Sequence, residues 1–479
     1  MPPVQNMPPV QNPPTATDTD DAAHPHSSAA LHQSTLTENP ERLLPGVTLT
    51  RGRWMHGWNP EEPKQWRHGG KAIARVNLAV SVFAEFLGFA LWAIWSIVVP
   101  QLPAAGFVLT VDQMFWLVSV PSLVGATLRI PYTFAVPRFG GRNWTIISAL
   151  LLIIPAGALA WVVSNPDTSF GILLLVAALA GFGGGNFASS MANISFFYPE
   201  AEKGKALGLN AAGGNVGTAA VQFAVPLIIV SGAGIALERA GLIFIPLSLL
   251  AAVLAWKFMH NVADASSDSR SFRAALRHRH TWILSIIYIG TFGSFIGYAG
   301  AFPTLLAGEF AEIDLSIAFL GALVGSVSRP IGGVLGDRFG GAIVTVVSFA
   351  AMILGAIGVI VGLNAHSFGL FFVSFLWLFV FTGIGNGSIY RMIPAIFRAT
   401  ARGADAASTK RIAAACIGIA GAIGAFGGFL IPRTFALSTG ATGGIEAALW
   451  VFIGVYLAMA ALTWVVYCRK SSALASEVV

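Results

Sequence analysis

Twelve apolar runs, each long enough to cross a bilayer, make up most of this chain. They cover residues 76–99, 115–136, 143–164, 170–197, 205–231, 237–258, 282–305, 315–336, 342–363, 368–397, 410–435 and 446–468. A spanning helix needs roughly 20 apolar residues. Backbone groups in hydrocarbon must bond within their own segment, so runs of this length predict helices. The fold expected is therefore all-α, a polytopic membrane protein of twelve transmembrane helices. The polar stretch at 259–281 is the longest connection on its side and reads as a linker between a six-helix half at 71–258 and a second at 282–468. Polar tails at 1–70 and 469–479 complete the division. The first opens with the doubled hexapeptide MPPVQN-MPPVQN and stays rich in Pro, Ser, Thr, Asp and His, a composition that predicts disorder. Trp54, Trp58 and Trp66, interleaved with Lys and Arg, are placed on the membrane surface.

Composition supports the same reading. Of 479 residues 55% are hydrophobic and only 10% charged, against about 25% charged in a soluble domain. The net charge of +6 lies in short loops rather than in one patch, which argues against nucleic acid as a partner. Arg138, Arg142, Lys203, Lys205, Arg270 to Arg279, Arg338 and Arg398 to Arg411 all fall on one side. The other side carries Arg239 and Arg433 beside Asp167, Glu309, Glu312 and Asp314. The positive-inside rule then puts both termini in the cytoplasm, with the chain in the cytoplasmic membrane. No apolar h-region opens the chain, so no cleaved signal peptide is expected. Cys416 and Cys468 lie in apolar runs and have neither disulfide nor metal spacing; no cofactor is implied.

The two halves echo each other. Arg129 to Gly141 reads RIPYTFAVPRFGG, and 200 residues later Arg329 to Gly341 reads RPIGGVLGDRFGG. Gly183, Gly185 and Asn186 recur as Gly383, Gly385 and Asn386. At an offset of 210, Gly208, Gly214 and Gly217 recur as Gly418, Gly424 and Gly427. A parallel repeat of six spans is the sequence mark of the major facilitator architecture, whose substrate lies between the halves near the midplane. The loop Gly336-Asp337-Arg338-Phe339-Gly340 resembles that superfamily's inner-loop signature, whereas the first copy has Pro137 in place of the aspartate.

Arg129 and Arg329 each sit roughly 21 Å into a span, counted at 1.5 Å per residue. An arginine at membrane depth costs at least a few kcal/mol and marks function by default. Two at equivalent positions point to one anion site built from both halves, since a guanidinium offers an oxyanion a planar fork of donors. The bland alternative is pairing with a carboxylate or with helix carbonyls to hold helices together. The glycine-rich stretches around Gly208 to Gly217 and Gly418 to Gly428, including Gly421, suit close helix packing and also near approach to a small ligand. Asn186 and Asn215 are their polar exceptions, open to ligand binding or to a helix–helix tie. Gly204-Lys205 lacks the spacing of a phosphate loop. His278 and His280 lie in a basic loop and are expected to face solvent.

The segments LRIPYTFAVPRFGGRNWT, GNFASSMANISFFYP, KALGLNAAGGNVG, IYIGTFGSFIGYAGAF and IGIAGAIGAFGGFLIP resemble the nitrate/nitrite porter family of the major facilitator superfamily, from about Trp58 to Cys468. The resemblance implies a secondary transporter of nitrate and nitrite, not an enzyme. It also implies that Arg129 and Arg329 clamp the anion, that Phe187 and Phe292 sandwich its plane, and that Tyr288 and Asn215 donate hydrogen bonds. Tyr288 and Phe292 are four apart and share a helix face. A carrier of the same fold for another small or organic anion is the alternative. The working unit expected is a monomer in the lipid bilayer.

Glu85 interrupts the first span roughly 13 Å from its inner end. The family's exchangers, by the same resemblance, run without a protonatable group in the pathway, and Glu85 departs from that pattern. Three readings stand: a structural salt bridge to one arginine, a proton site that loads when the anion takes the arginines, or a carboxylate that contacts neither arginine. Exchange of nitrate for nitrite and symport of nitrate with a proton both remain open.

Overall fold

A computed structural model of the chain describes residues 41–231, 234–265, 269–400 and 405–469. Among them, twelve helices are long and apolar enough to cross a membrane. Spans 1 to 6 are Pro63–Gln101, Val111–Thr133, Gly141–Val163, Phe170–Phe197, Glu200–Ile229 and Glu238–Phe258. Spans 7 to 12 are Arg279–Glu309, Leu315–Phe339, Gly341–Asn364, Phe368–Thr400, Ser408–Thr442 and Glu446–Cys468. Spans 1 and 7 are the most buried, and spans 6 and 12 are among the least. Leu175, Trp256, Leu354 and Trp450 are more than half exposed, along with many other large apolar side chains. Exposed apolar surface on that scale is tolerable only against lipid.

The two halves meet where span 2 packs on span 11, span 5 on span 8, and span 1 on span 7. The short helix Ala135–Phe139 that follows span 2, and span 8 itself, each end at a glycine with positive φ, Gly140 (85°) and Gly340 (88°), from which spans 3 and 9 start. A residue with a Cβ pays steric strain in that region. At Gly140 the Cβ would also lie 2.3 Å from Asn261 Oδ1.

Residues 41–66 correct one expectation. Tail composition predicted disorder up to about residue 70, yet Val47–Thr50 pairs antiparallel with Trp54–His56, which pairs parallel with Asn261–Val262. Val47 and Met55 are fully buried, and Trp58 Nε1 donates to Phe196 O at 3.0 Å. Trp66 packs edge-on against Tyr198. Trp58 is thus core and not a membrane-surface anchor. Sparse apolar residues sufficed because the segment borrows the adjoining ends of spans 1, 4 and 5 as its core. Arg142 ties the assembly together, donating to Trp256 O at 2.7 Å and to Gly52 O at 3.2 Å. We call this the clasp, and the face it occupies the linker face. The expected tails at 1–40 and 470–479 lie outside the described residues.

Candidate anion site between the halves

Arg129 and Arg329 come together with Phe187, Tyr288 and Phe292 at the junction of the halves. Arg129 is 1% exposed. Its Nε donates to Gly184 O at 3.2 Å, and its Nη1 donates to Gly421 O at 2.7 Å, across the junction in span 11. Its guanidinium carbon stands 4.6 Å from the Phe187 ring centre and 5.3 Å from that of Phe292. Arg329 lies 6.0 Å from Phe292 and 4.7 Å from Tyr390, and its Nη2 donates to Tyr288 Oη at 3.4 Å. Phe292 therefore serves both cations. Contacts of a desolvated guanidinium with an aromatic face contribute about 0.5–2 kcal/mol.

No carboxylate pairs with either arginine among the described residues. Helix carbonyls do take two donors of Arg129, so part of the bland alternative holds. One terminal nitrogen on each side, Arg129 Nη2 and Arg329 Nη1, is buried without a hydrogen-bond partner. A buried charged donor left unpaired costs more than an ordinary lost hydrogen bond. An oxyanion is the group that would satisfy both.

The walls are set by local backbone choices. Tyr288 and Phe292 stack at 5.2 Å and 16°, with Phe292 inside a π-helical turn at Ile289–Gly293. Such turns are rare and gather at functional sites. A Cβ on Gly424 would come 2.6 Å from the Tyr288 ring, and one on Gly421 would face Arg129, Phe187 and Tyr390 at 3.9 Å. Gly214 lies in the same way against Glu85 and Phe89. Gly217 and Gly427 do a different job, as a Cβ there would meet the Phe86 carbonyl oxygen at 2.2 Å and Gly293 Cα at 2.3 Å. Gly208 and Gly418 face open space. Asn215 is buried with its Oδ1 unpartnered, as are Asn186 and Asn386.

Sequence reasoning missed Tyr390, whose Oη is buried without a partner beside Arg329. The repeat carried the signal, for Tyr390 stands 200 residues after Ser190. It also missed Trp92, which lies 5.4 Å from the Arg129 guanidinium and donates Nε1 to Pro121 O at 2.8 Å. Of the two histidines expected to face solvent, His278 is partly exposed and His280 is not. His280 is buried and bonds Tyr467 Oη through Nδ1 at 3.0 Å, and His278 lies on the Phe397 ring at 4.6 Å. Neither belongs to the site. Glu85 is 1% exposed, makes no ion pair among the described residues, and has no hydrogen-bond partner on either carboxylate oxygen. The expected salt bridge is not formed: Arg129 directs Nε and Nη1 to carbonyls, and its remaining Nη2 bonds neither carboxylate oxygen of Glu85.

The family model of the Major Facilitator Superfamily matches residues 81–432. The chain is 41% identical to the nitrate/nitrite transporter NarU of Salmonella typhimurium over 445 residues, 87% of this chain and 96% of that protein. It is 37% identical over 449 residues to a probable nitrate/nitrite antiporter of Thermus thermophilus, 88% of this chain and 98% of that one. Among solved structures it resembles a D-xylose–proton symporter, with a TM-score of 0.64 at 15% identity, covering 82% and 97% of the two chains. A bacterial homolog of the human lysosomal transporter Spinster in an inward-facing, unoccupied conformation gives 0.62 at 16%, again covering 82% and 97%. At these identities the structures speak for the fold alone.

Proposed function

Because the chain belongs to the Major Facilitator Superfamily and, within it, to the family of nitrate/nitrite transporters, we propose that it moves nitrate and nitrite across the cytoplasmic membrane by alternating access. The linker face is then cytoplasmic, as the loop charges require. The observation that carries the site is the pair of buried arginines, one from each half, each holding one unsatisfied terminal nitrogen and sharing Phe292. Arg129 and Arg329 clamp the anion edge-on, Phe187 and Phe292 wall its plane, and Tyr288 and Asn215 add hydrogen bonds. Gly421 and Gly424 keep the slot narrow by letting helix backbone and ring approach it. A flat monovalent anion fits such a slot, whereas a tetrahedral anion meets aromatic rings.

Alternating access follows from the charge balance. Two guanidinium groups in a low-dielectric junction repel, and an anion between them reverses the sign. The ligand thereby favours the state in which the halves close around it, and that differential affinity is what a carrier needs. One copy of the chain holds every residue named, so the working unit is the monomer. Crowding of the arginines by aromatic rings favours nitrate over a larger organic anion. Competition binding tests the reading: nitrite displaces nitrate, and sulfate and phosphate in large excess do not. Displacement by sulfate as strong as by nitrite would replace it with a general anion carrier.

A further inference from the structure

The signature glycines superimpose the two halves at the level of side chains. Gly214 and Gly424 are repeat partners. A Cβ on Gly214 would lie 2.9 Å from Glu85 Cγ and 3.1 Å from the Phe89 ring; one on Gly424 would lie 2.6 Å from Tyr288 and 3.3 Å from Phe292. Glu85 and Phe89 therefore occupy in the first half the place of Tyr288 and Phe292 in the second. Ser190 likewise stands where Tyr390 stands. Tyr288, neutral, accepts from Arg329 and packs against Tyr390. Its counterpart is a carboxyl group with nothing bonded to it.

Behind Glu85, toward the linker face, lies a small cavity between spans 1, 3 and 4, which leaves the centre of a water-sized particle about 10 Å3. That is about what one water or one small ion requires. The lining is poor in available donors. Ser189 Oγ donates to Asn186 O at 2.9 Å, Ser148 Oγ to Thr145 O at 3.2 Å, and Thr145 Oγ1 to Gly141 O at 2.8 Å. Each hydroxyl has thus spent its proton on the backbone and turns lone pairs to the cavity. Asn186 Oδ1 and both Glu85 oxygens add unpartnered acceptors. Against these stand the hydroxyl protons of Ser81 and Ser190. Arg129 of span 2 is the charged group whose field reaches Glu85, and the side chains lining the cavity from spans 3 and 4 bring hydroxyls and an amide with no charge.

We propose that Glu85 and this acceptor-lined cavity form a coupling-cation site, which takes up one small monovalent cation when the anion engages Arg129. The cation is a proton on the carboxyl group with a water beside it, or a sodium ion among the same oxygens. The reason is competition for one counter-charge. Arg129 compensates either Glu85 or the anion, and a carboxylate buried without compensation costs several kcal/mol. Loading of anion and cation is thereby reciprocal, each raising the affinity for the other. The cavity lies within the first half, on the linker side of Glu85 and apart from the junction of the halves. The inference rests on the anion reading above and supplies its coupling mode, symport rather than bare exchange.

The test is nitrate binding by calorimetry on the purified full chain, first from about pH 5 to about pH 9 in potassium buffers, then at fixed pH with sodium replacing potassium. If the cation is a proton, the nitrate affinity falls with rising pH, up to about tenfold per unit. If it is sodium, affinity rises with sodium concentration instead. In Glu85→Gln both dependences vanish, whatever the absolute affinity. A second measurement needs no variant: repeating the titration in two buffers of different ionisation enthalpy counts the protons taken up per nitrate. Affinity indifferent to both cations with no proton uptake overturns the proposal, as does a dependence that survives Glu85→Gln. Absence of nitrate binding under every condition would instead refute the anion site on which it rests.

Discussion

At the scale of single residues, anion binding depends on the geometry of a guanidinium and not on its charge alone. Lysine in place of Arg329 keeps the cation but presents a compact, strongly hydrated point charge in place of a planar fork. A hydrogen bond to a charged group contributes about 1.5–3 kcal/mol, so Arg329→Lys should weaken nitrate binding by about ten- to a hundredfold. Titration calorimetry on the folded variant checks this, and an affinity within twofold of the parent would remove the clamp. Gly424→Ala should be comparably damaging without touching a charge, because its Cβ lands 2.6 Å from the Tyr288 ring and must displace it. The arginines were legible in the sequence because a cation buried in an apolar run costs enough to demand a reason. Tyr390 was not, since a tyrosine in a phenylalanine-rich helix looks like packing until its Oη is found buried and unpartnered beside Arg329.

At the scale of elements, the signature glycines divide by what their missing Cβ would strike. Gly427→Val would drive side-chain atoms into the span 7 backbone at Gly293, and overpacking of that kind costs about 1–3 kcal/mol. Gly418→Ala meets nothing within 4 Å and should leave thermal stability unchanged or slightly higher, as alanine favours the helix. Two thermal unfolding curves separate these outcomes. The spacing of the glycines was visible in the sequence, but not which neighbour each one faces, because that depends on the pairing of spans far apart in the chain.

The clasp has its own pH dependence. His260 accepts at Nε2 from Arg53 Nη2 at 2.7 Å, and burial, then Arg53 and Arg142, push its pKa down to about 4. The folded form thus binds fewer protons than the unfolded one between about pH 6.5 and 4, and stability falls as pH drops through that window. Unfolding temperatures should decline over that range in the parent and decline less in His260→Gln. The clasp escaped the sequence reading because its core is supplied by the helices it packs on, and composition registers only what a segment brings itself.

At the scale of the whole molecule, all twelve spans were readable, since the hydrocarbon thickness dictates length and composition together, although the first helix starts at Pro63 and the eleventh ends at Thr442, well past their apolar runs. The arrangement of the halves on the face opposite the linker was not. There Arg433 of span 11 bonds Asp112 of span 2 at 2.8 Å and covers the Trp116 ring at 4.2 Å, and Gln222 of span 5 donates to Ala299 O of span 7 at 2.7 Å. These contacts tie the two halves together on that side. Asp112 is exposed, so the ion pair contributes at most about 1 kcal/mol, and Asp112→Asn should alter transport rates less than about fivefold. The repeat adds a matching asymmetry at the linker face: Asp337 is paired with Arg391, while the first half has Pro137 and Met191 at the corresponding places. One half keeps a lock that the other has lost in both partners.

If one site between the halves carries a flat monovalent anion, liposomes containing the purified chain should take up labelled nitrate. External nitrite should suppress that uptake, excess sulfate should leave it unaffected, and Arg129→Lys and Arg329→Lys should each abolish it. Nitrate uptake that persists at the parent's rate in both lysine variants would contradict such a site.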